Sequence, residues 1–137
     1  MILKLGQKSI QVLATPGHTS SCVSFYFEGR VFTGDTLLIR GNGRTDFQQG
    51  SAEMLFDSIQ NQLYSLSDDT LVYPGHDYQG RTCSTIGLEK QFNLRIPQRQ
   101  IKSEFVKLMS ELKLEHPKHI QIALPANLAC GQTQGLK

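Results

Sequence analysis

Val23-Ser24-Phe25-Tyr26-Phe27-Glu28-Gly29-Arg30-Val31-Phe32-Thr33-Gly34-Asp35 carries two short runs of aromatic and β-branched residues hinged on Gly29. Such residues suit a pleated, half-buried strand, and Glu28-Gly29-Arg30 can turn one strand into the next. The stretch therefore reads as an antiparallel hairpin ending at Gly34-Asp35. In an antiparallel pair the start of the first strand lies beside the end of the second. His18, in the loop Thr15-Pro16-Gly17-His18-Thr19 ahead of the first strand, is thus expected at the same sheet edge as Asp35. Leu71-Val72-Tyr73, stopped by Pro74-Gly75, reads as a further short strand. If it joins the same sheet in the right sense, His76 reaches that edge too.

Working outward, the apolar runs 2–5 and 10–14 flank Gly6-Gln7-Lys8-Ser9 and read as a second hairpin. Residues 40–50 are polar and glycine-bearing, so a long loop is expected. Ser51 is a good N-cap and Glu53 sits in the first turn, where it complements the helix dipole. Leu55, Phe56, Ile59, Leu63 and Leu66 then follow helical spacing. A helix is expected around 84–92, weakened by Gly87. Another carries Phe105, Leu108, Met109 and Leu112 behind Ser103. The tail from Pro117 onward reads as irregular, with an apolar run at 120–124. Strands followed by helices indicate one α/β layered domain over residues 1–137.

The 137 residues suffice for one domain with a real core. Lys and Arg are scattered and the formal net charge is only +2, unlike a nucleic-acid-binding stripe. No apolar run has transmembrane length. Met1-Ile2-Leu3 passes straight into polar residues, so neither a signal peptide nor an Arg-rich transit segment is expected. Cys22, Cys83 and Cys130 are odd in number, widely spaced and without CxxC pairs. That pattern speaks against a disulfide framework or a zinc ribbon and for the cytoplasm. The three thiols are expected as small buried or half-buried packing residues. Gly41-Asn42-Gly43 does not form a phosphate-binding glycine loop.

His18, Asp35, His76 and Asp77 are the residues that could carry chemistry. Two His and one carboxylate on one face serve iron(II) oxygenases and leave coordination positions open. Zinc hydrolases use a similar set to activate a water. The bland alternatives stand beside these: Asp35 can cap a turn, and His18 can face solvent. His116 and His119, flanking Pro117 in a polar stretch, read as ordinary surface residues.

Three motifs now combine: Thr15-Pro16-Gly17-His18-Thr19, Phe32-Thr33-Gly34-Asp35 and Tyr73-Pro74-Gly75-His76-Asp77-Tyr78. Together they resemble the second half of the metallo-β-lactamase superfamily. The run Leu38-Ile39-Arg40-Gly41-Asn42-Gly43-Arg44-Thr45-Asp46-Phe47-Gln48-Gln49-Gly50 is similar to the persulfide dioxygenases, the ethylmalonic-encephalopathy protein group. So is the tail Leu124-Pro125-Ala126-Asn127-Leu128-Ala129-Cys130-Gly131.

The resemblance implies the C-terminal half of an αββα sandwich and a mononuclear iron(II) site, with zinc as the alternative metal. It implies oxidation of glutathione persulfide by dioxygen to sulfite and glutathione. His18 and Asp35 match metal ligands of the family. His76 matches its last motif histidine, a second-metal ligand in dinuclear relatives and a supporting residue in the iron enzymes. Arg44 and Asp46 match the loop that shapes the site, and Tyr78 a position near the glutathione pocket. Arg44 could grip a glutathione carboxylate, or pair with Asp46 as a brace of its own loop.

The superfamily's His-x-His-x-Asp-His motif, which supplies the other ligands, has no counterpart in this sequence. One His and one Asp leave the ligand set incomplete. The chain is therefore expected to bind metal weakly, to be inactive alone and to expose strand edges and apolar sheet. A homodimer or a chain supplying the other half is the expected partner. Two further functions remain open: a glyoxalase II-type hydroxyacylglutathione hydrolase, and a non-catalytic remnant that serves as an interaction module.

Overall fold

The computed structural model describes residues 1–47 and 49–131; Gln48 and 132–137 lie outside it. Strands β1 (Ile2–Leu5) and β2 (Lys8–Ala14) pair across a turn at Gly6-Gln7, where Gly6 takes φ 59° at no side-chain cost. β3 (Val23–Phe27) and β4 (Arg30–Gly34) form the expected hairpin, with Phe25 opposite Phe32. β7 (Leu71–Pro74) joins β4 in parallel. Parallel neighbours need a long crossover, and here it runs through helix α1 (Ala52–Asp57) and a π-helical continuation at Ser58–Leu63. The two-residue β8 (Ser84–Thr85) completes a six-stranded sheet in the order β1-β2-β3-β4-β7-β8.

The pleat gives the sheet two unlike faces. Leu13, Val31 and Val72 point into a core closed by Leu55, Ile59 and Leu63, by Ile86 of α2 (Ile86–Phe92), and by Phe105 and Met109 of α3 (Lys102–Glu111). The opposite face carries the cross-strand row Val12, Phe25, Phe32 and Tyr73. Among the described residues no helix covers the phenylalanines of that row. Phe25 is 37% and Phe32 44% exposed, and Phe32 stacks only on Tyr73 at 5.4 Å. The expected half-sandwich, with helices on one side and apolar sheet on the other, is what the chain builds. Among the described residues no helix is long and apolar enough to cross a membrane.

Several expectations are corrected. The loop at 40–50 opens with a small hairpin, β5 (Leu37–Leu38) against β6 (Gly41–Asn42), and Arg40 turns it at φ 63°. α3 starts at Lys102, so Ser103 lies inside the helix and does not precede it. Gly87 is tolerated in α2 because a Cβ there would meet the Asp68 Cβ at 3.0 Å. The tail is not irregular: α4 (Ile120–Leu128) is a helix containing Pro125. Its run of straight-chain and small residues supports helix despite that proline. Cys22 is half-buried as expected, but Cys83 and Cys130 are exposed and are not packing residues.

Candidate metal centre

The centre lies where the β4 and β7 strand ends meet the loop preceding β3. His18 Nε2 stands 3.5 Å from Asp35 Oδ2. His18 Nδ1 lies 2.7 Å from the carbonyl oxygen of Arg44, to which it donates as the protonated nitrogen. That bond directs Nε2 toward Asp35, the arrangement by which proteins orient a metal-binding imidazole. Metal bonds from His nitrogen and carboxylate oxygen run about 2.0–2.2 Å, which sets neighbouring donors roughly 3 to 3.5 Å apart. The His18–Asp35 edge meets that requirement for two adjacent positions.

His76 Nδ1 lies 3.1 Å from Asp35 Oδ1, and its Nε2 lies 2.7 Å from the Tyr78 hydroxyl. Both ring nitrogens are engaged, so His76 steadies the carboxylate that faces His18. Consistent with that, no three His, Cys, Asp or Glu side chains among the described residues are disposed to hold a metal ion. The residues present fit a metal as two of its ligands, not as a complete set.

Close backbone approach makes this possible. A Cβ on Gly43 would run into the Asp35 carbonyl and come within 3.0 Å of His18 Nδ1. A Cβ on Gly75 would stand 2.7 Å from Asp35 Oδ1. Helix α1 enters from below: the Ser51 N–H donates to the Gly17 carbonyl and the Ser58 hydroxyl to the Pro16 carbonyl, at 2.8 and 2.6 Å.

Arg44 and Asp46 meet as a bidentate pair, both bonds 2.7 Å. This hydrogen-bonded pairing lowers the Asp46 pKa and raises that of Arg44. The Arg44 fork is therefore engaged within its own loop. Asp77 accepts from Arg81 and from the N–H groups of Gln79 and Arg81, which hold its pKa down to about 2. Arg81 also donates to the Ile39 carbonyl at 3.1 Å, clamping the His76 loop to the hairpin before Arg44.

A cavity of about 970 Å³ opens over the centre. Its wall includes His18, Asp35, Arg44, His76 and Tyr78, whereas Asp46, also expected at the site, is not part of that wall and is tied to it through its pair with Arg44. Tyr78 is 86% exposed, lines the cavity and reaches the centre by its hydroxyl at His76.

Sequence reading missed two contributors. Glu89 is fully buried in α2 and accepts from the Arg40 N–H, the Asn93 amide, the Ser84 hydroxyl and the Arg40 guanidinium. It anchors the site hairpin to the helical layer. Nothing local marks it, since glutamate in a helix is ordinarily solvated. Arg95 lines the cavity and donates to the Asn42 carbonyl at 3.1 Å. Unlike Arg40, Arg44 and Arg81, it has no carboxylate partner among the described residues.

The sequence profile of the Metallo-beta-lactamase superfamily matches residues 2–76. The chain belongs to that superfamily. Within it, the chain is 45% identical over 131 residues to the human mitochondrial persulfide dioxygenase ETHE1, covering 94% of this chain and 51% of that protein. The crystal structure of ETHE1 from Myxococcus xanthus superposes with a TM-score of 0.90 at 52% identity, over 96% of this chain and 58% of that one. The hydroxyacylglutathione hydrolase GloC of Haemophilus influenzae is 43% identical over 94 residues, 67% of this chain and 42% of that protein. The chain thus spans about half the length of the relatives it matches.

Proposed function

We propose that the chain is the C-terminal half of a glutathione persulfide dioxygenase that holds iron(II) through His18 and Asp35 and takes a further ligand from elsewhere. The observation that carries this reading is the 3.5 Å edge between His18 Nε2 and Asp35 Oδ2, with Nδ1 tied to the Arg44 carbonyl beside a large cavity. Similarity to persulfide dioxygenases over more than nine-tenths of the chain supports the substrate class. Iron is favoured over zinc because oxidation by dioxygen needs a redox-active metal with open positions, and zinc has no redox chemistry.

The chain's own residues have separable tasks in this scheme. His76 donates to Asp35 Oδ1 and leaves Oδ2 facing His18. The Tyr78 hydroxyl, 2.7 Å from His76 Nε2, holds that ring in place. Arg44 and Asp46 brace the loop whose carbonyl orients His18. Arg95 offers a fork for a carboxylate of glutathione. The open face at Phe25 and Phe32 receives a second sheet, carried by the same polypeptide or by a partner, which brings the missing ligand. The free thiols fit a reducing compartment, which we take to be the cytoplasm. The mammalian persulfide dioxygenases it resembles are mitochondrial, so cell fractionation decides the compartment.

Anaerobic reconstitution with iron(II), followed by elemental analysis against an Asp35→Ala control, tests the reading. We expect iron above the control in the wild type, and sulfite only when the N-terminal half of the Myxococcus relative is added. No iron above control supports a second reading, a non-catalytic interaction module, which the two-donor set favours. Hydrolysis of a hydroxyacylglutathione by the zinc-loaded pair, without sulfite from the iron-loaded one, would assign the hydrolase instead.

A further inference from the structure

We infer that residues 113–131 form a strap over the metal cavity, latched by Arg44 and Phe47, and that the latch sets access to the site. α4 contains no buried residue, and Ile122 and Leu128 are 68% and 75% exposed. A helix apolar on all sides normally lies inside a protein. This one follows a segment without regular structure between α3 and Pro117. The same segment lies over the cavity: Leu114, Glu115, Pro117 and Ile120 line it together with His18 and Asp35.

Contacts to the site loop hold the strap there. Arg44 Nη1 donates to the Glu115 carbonyl at 2.9 Å. The His116 ring lies 5.3 Å from the Phe47 ring, and the Arg44 guanidinium sits over that ring at 4.3 Å. Arg44 therefore joins three things: its carbonyl receives His18, its fork holds Asp46, and its remaining donor holds the strap. Leu114 and Ile120 form part of the cavity wall, so lifting them widens the way in. Few buried contacts and a short list of latching bonds define a segment that opens locally, well below the energy of global unfolding.

The consequence for substrate rests on the proposed function, but the latch does not. Hydrogen–deuterium exchange on the 137-residue chain compares peptides from the strap with peptides from β3 and β4. In Arg44→Lys and Phe47→Ala, exchange at 120–131, where the strap amides bond to backbone carbonyls, is expected to rise about tenfold while the strands stay protected. Equal strap exchange in wild type and both variants overturns the proposal. So does a rise shared equally by the strands in both, because the contacts would then hold the domain and not the strap. If the variants open the strap, addition of glutathione to the wild type is expected to slow strap exchange. An unchanged strap there keeps the latch and removes glutathione as its occupant.

Discussion

His18 and Arg44 are joined through a side-chain nitrogen and a main-chain carbonyl, 2.7 Å apart across 26 residues of sequence. The guanidinium of Arg44 takes no part in that bond. The imidazole is thus oriented by the path of the backbone, and the path is set by the Arg44–Asp46 pair and by the glycine beside it.

Gly43 is where that path is most sensitive. An added Cβ would strike the Asp35 carbonyl and crowd His18 Nδ1. Gly43→Ala is expected to lower stability by about 1–3 kcal/mol, as overpacking does. Iron retention should fall more than the stability loss explains. Urea unfolding and elemental analysis on one preparation separate the two effects, and wild-type retention would show that the loop can shift freely.

Removing the Glu89 carboxylate should be costly. Its four donors include a guanidinium that is 27% exposed, and the carboxylate itself is fully buried. Breaking a buried pair by deleting one partner costs about 3–5 kcal/mol. Partial exposure of Arg40 puts Glu89→Ala near the lower end, about 3 kcal/mol by urea denaturation.

Asp77 should make the His76 loop acid-sensitive. Its pKa is lowered from 3.8 to about 2, chiefly by the Arg81 side chain and by backbone N–H donors. A depressed carboxylate contributes stability that is complete above its unfolded pKa and is lost as pH falls through the folded one. The loss therefore falls between about pH 4 and pH 2. Carboxyl NMR titration should place the Asp77 midpoint near 2, and Asp77→Asn should remove this part of the acid transition.

The open sheet face predicts association. Phe25 and Phe32 are exposed at the centre of the sheet, where sheet-on-sheet packing would bury them. Phe32→Glu should leave the stability of the chain within about 0.5 kcal/mol, since the residue faces solvent. It should also weaken self-association, or binding of a companion half, in analytical ultracentrifugation. Unchanged association would move the interface elsewhere.

The hairpin from Val23 to Asp35 was legible because two β-rich runs share one turn, and pairing then places His18 and Asp35 at one edge. The His76 position needed one fact outside the local pattern, the parallel union of β7 with β4. α4 was missed because its Pro125 and the loop-like segment before it outweighed a weak helical signal. Glu89 was missed because burial of a charge depends on four partners brought together from 40, 84 and 93.

The sequence by itself determined the β1–β2 and β3–β4 hairpins, the capped helix at Ser51 and the three motif loops, since turn chemistry and side-chain period act within a few residues. Only the tertiary structure decided that His76 supports Asp35 without a free nitrogen of its own. It alone showed that Arg44 is spent on both Asp46 and Glu115, and that Glu89 is buried among donors from Arg40, Ser84 and Asn93. Those outcomes depend on which distant groups compete for the same lone pairs and surfaces, and local pattern carries no record of that competition.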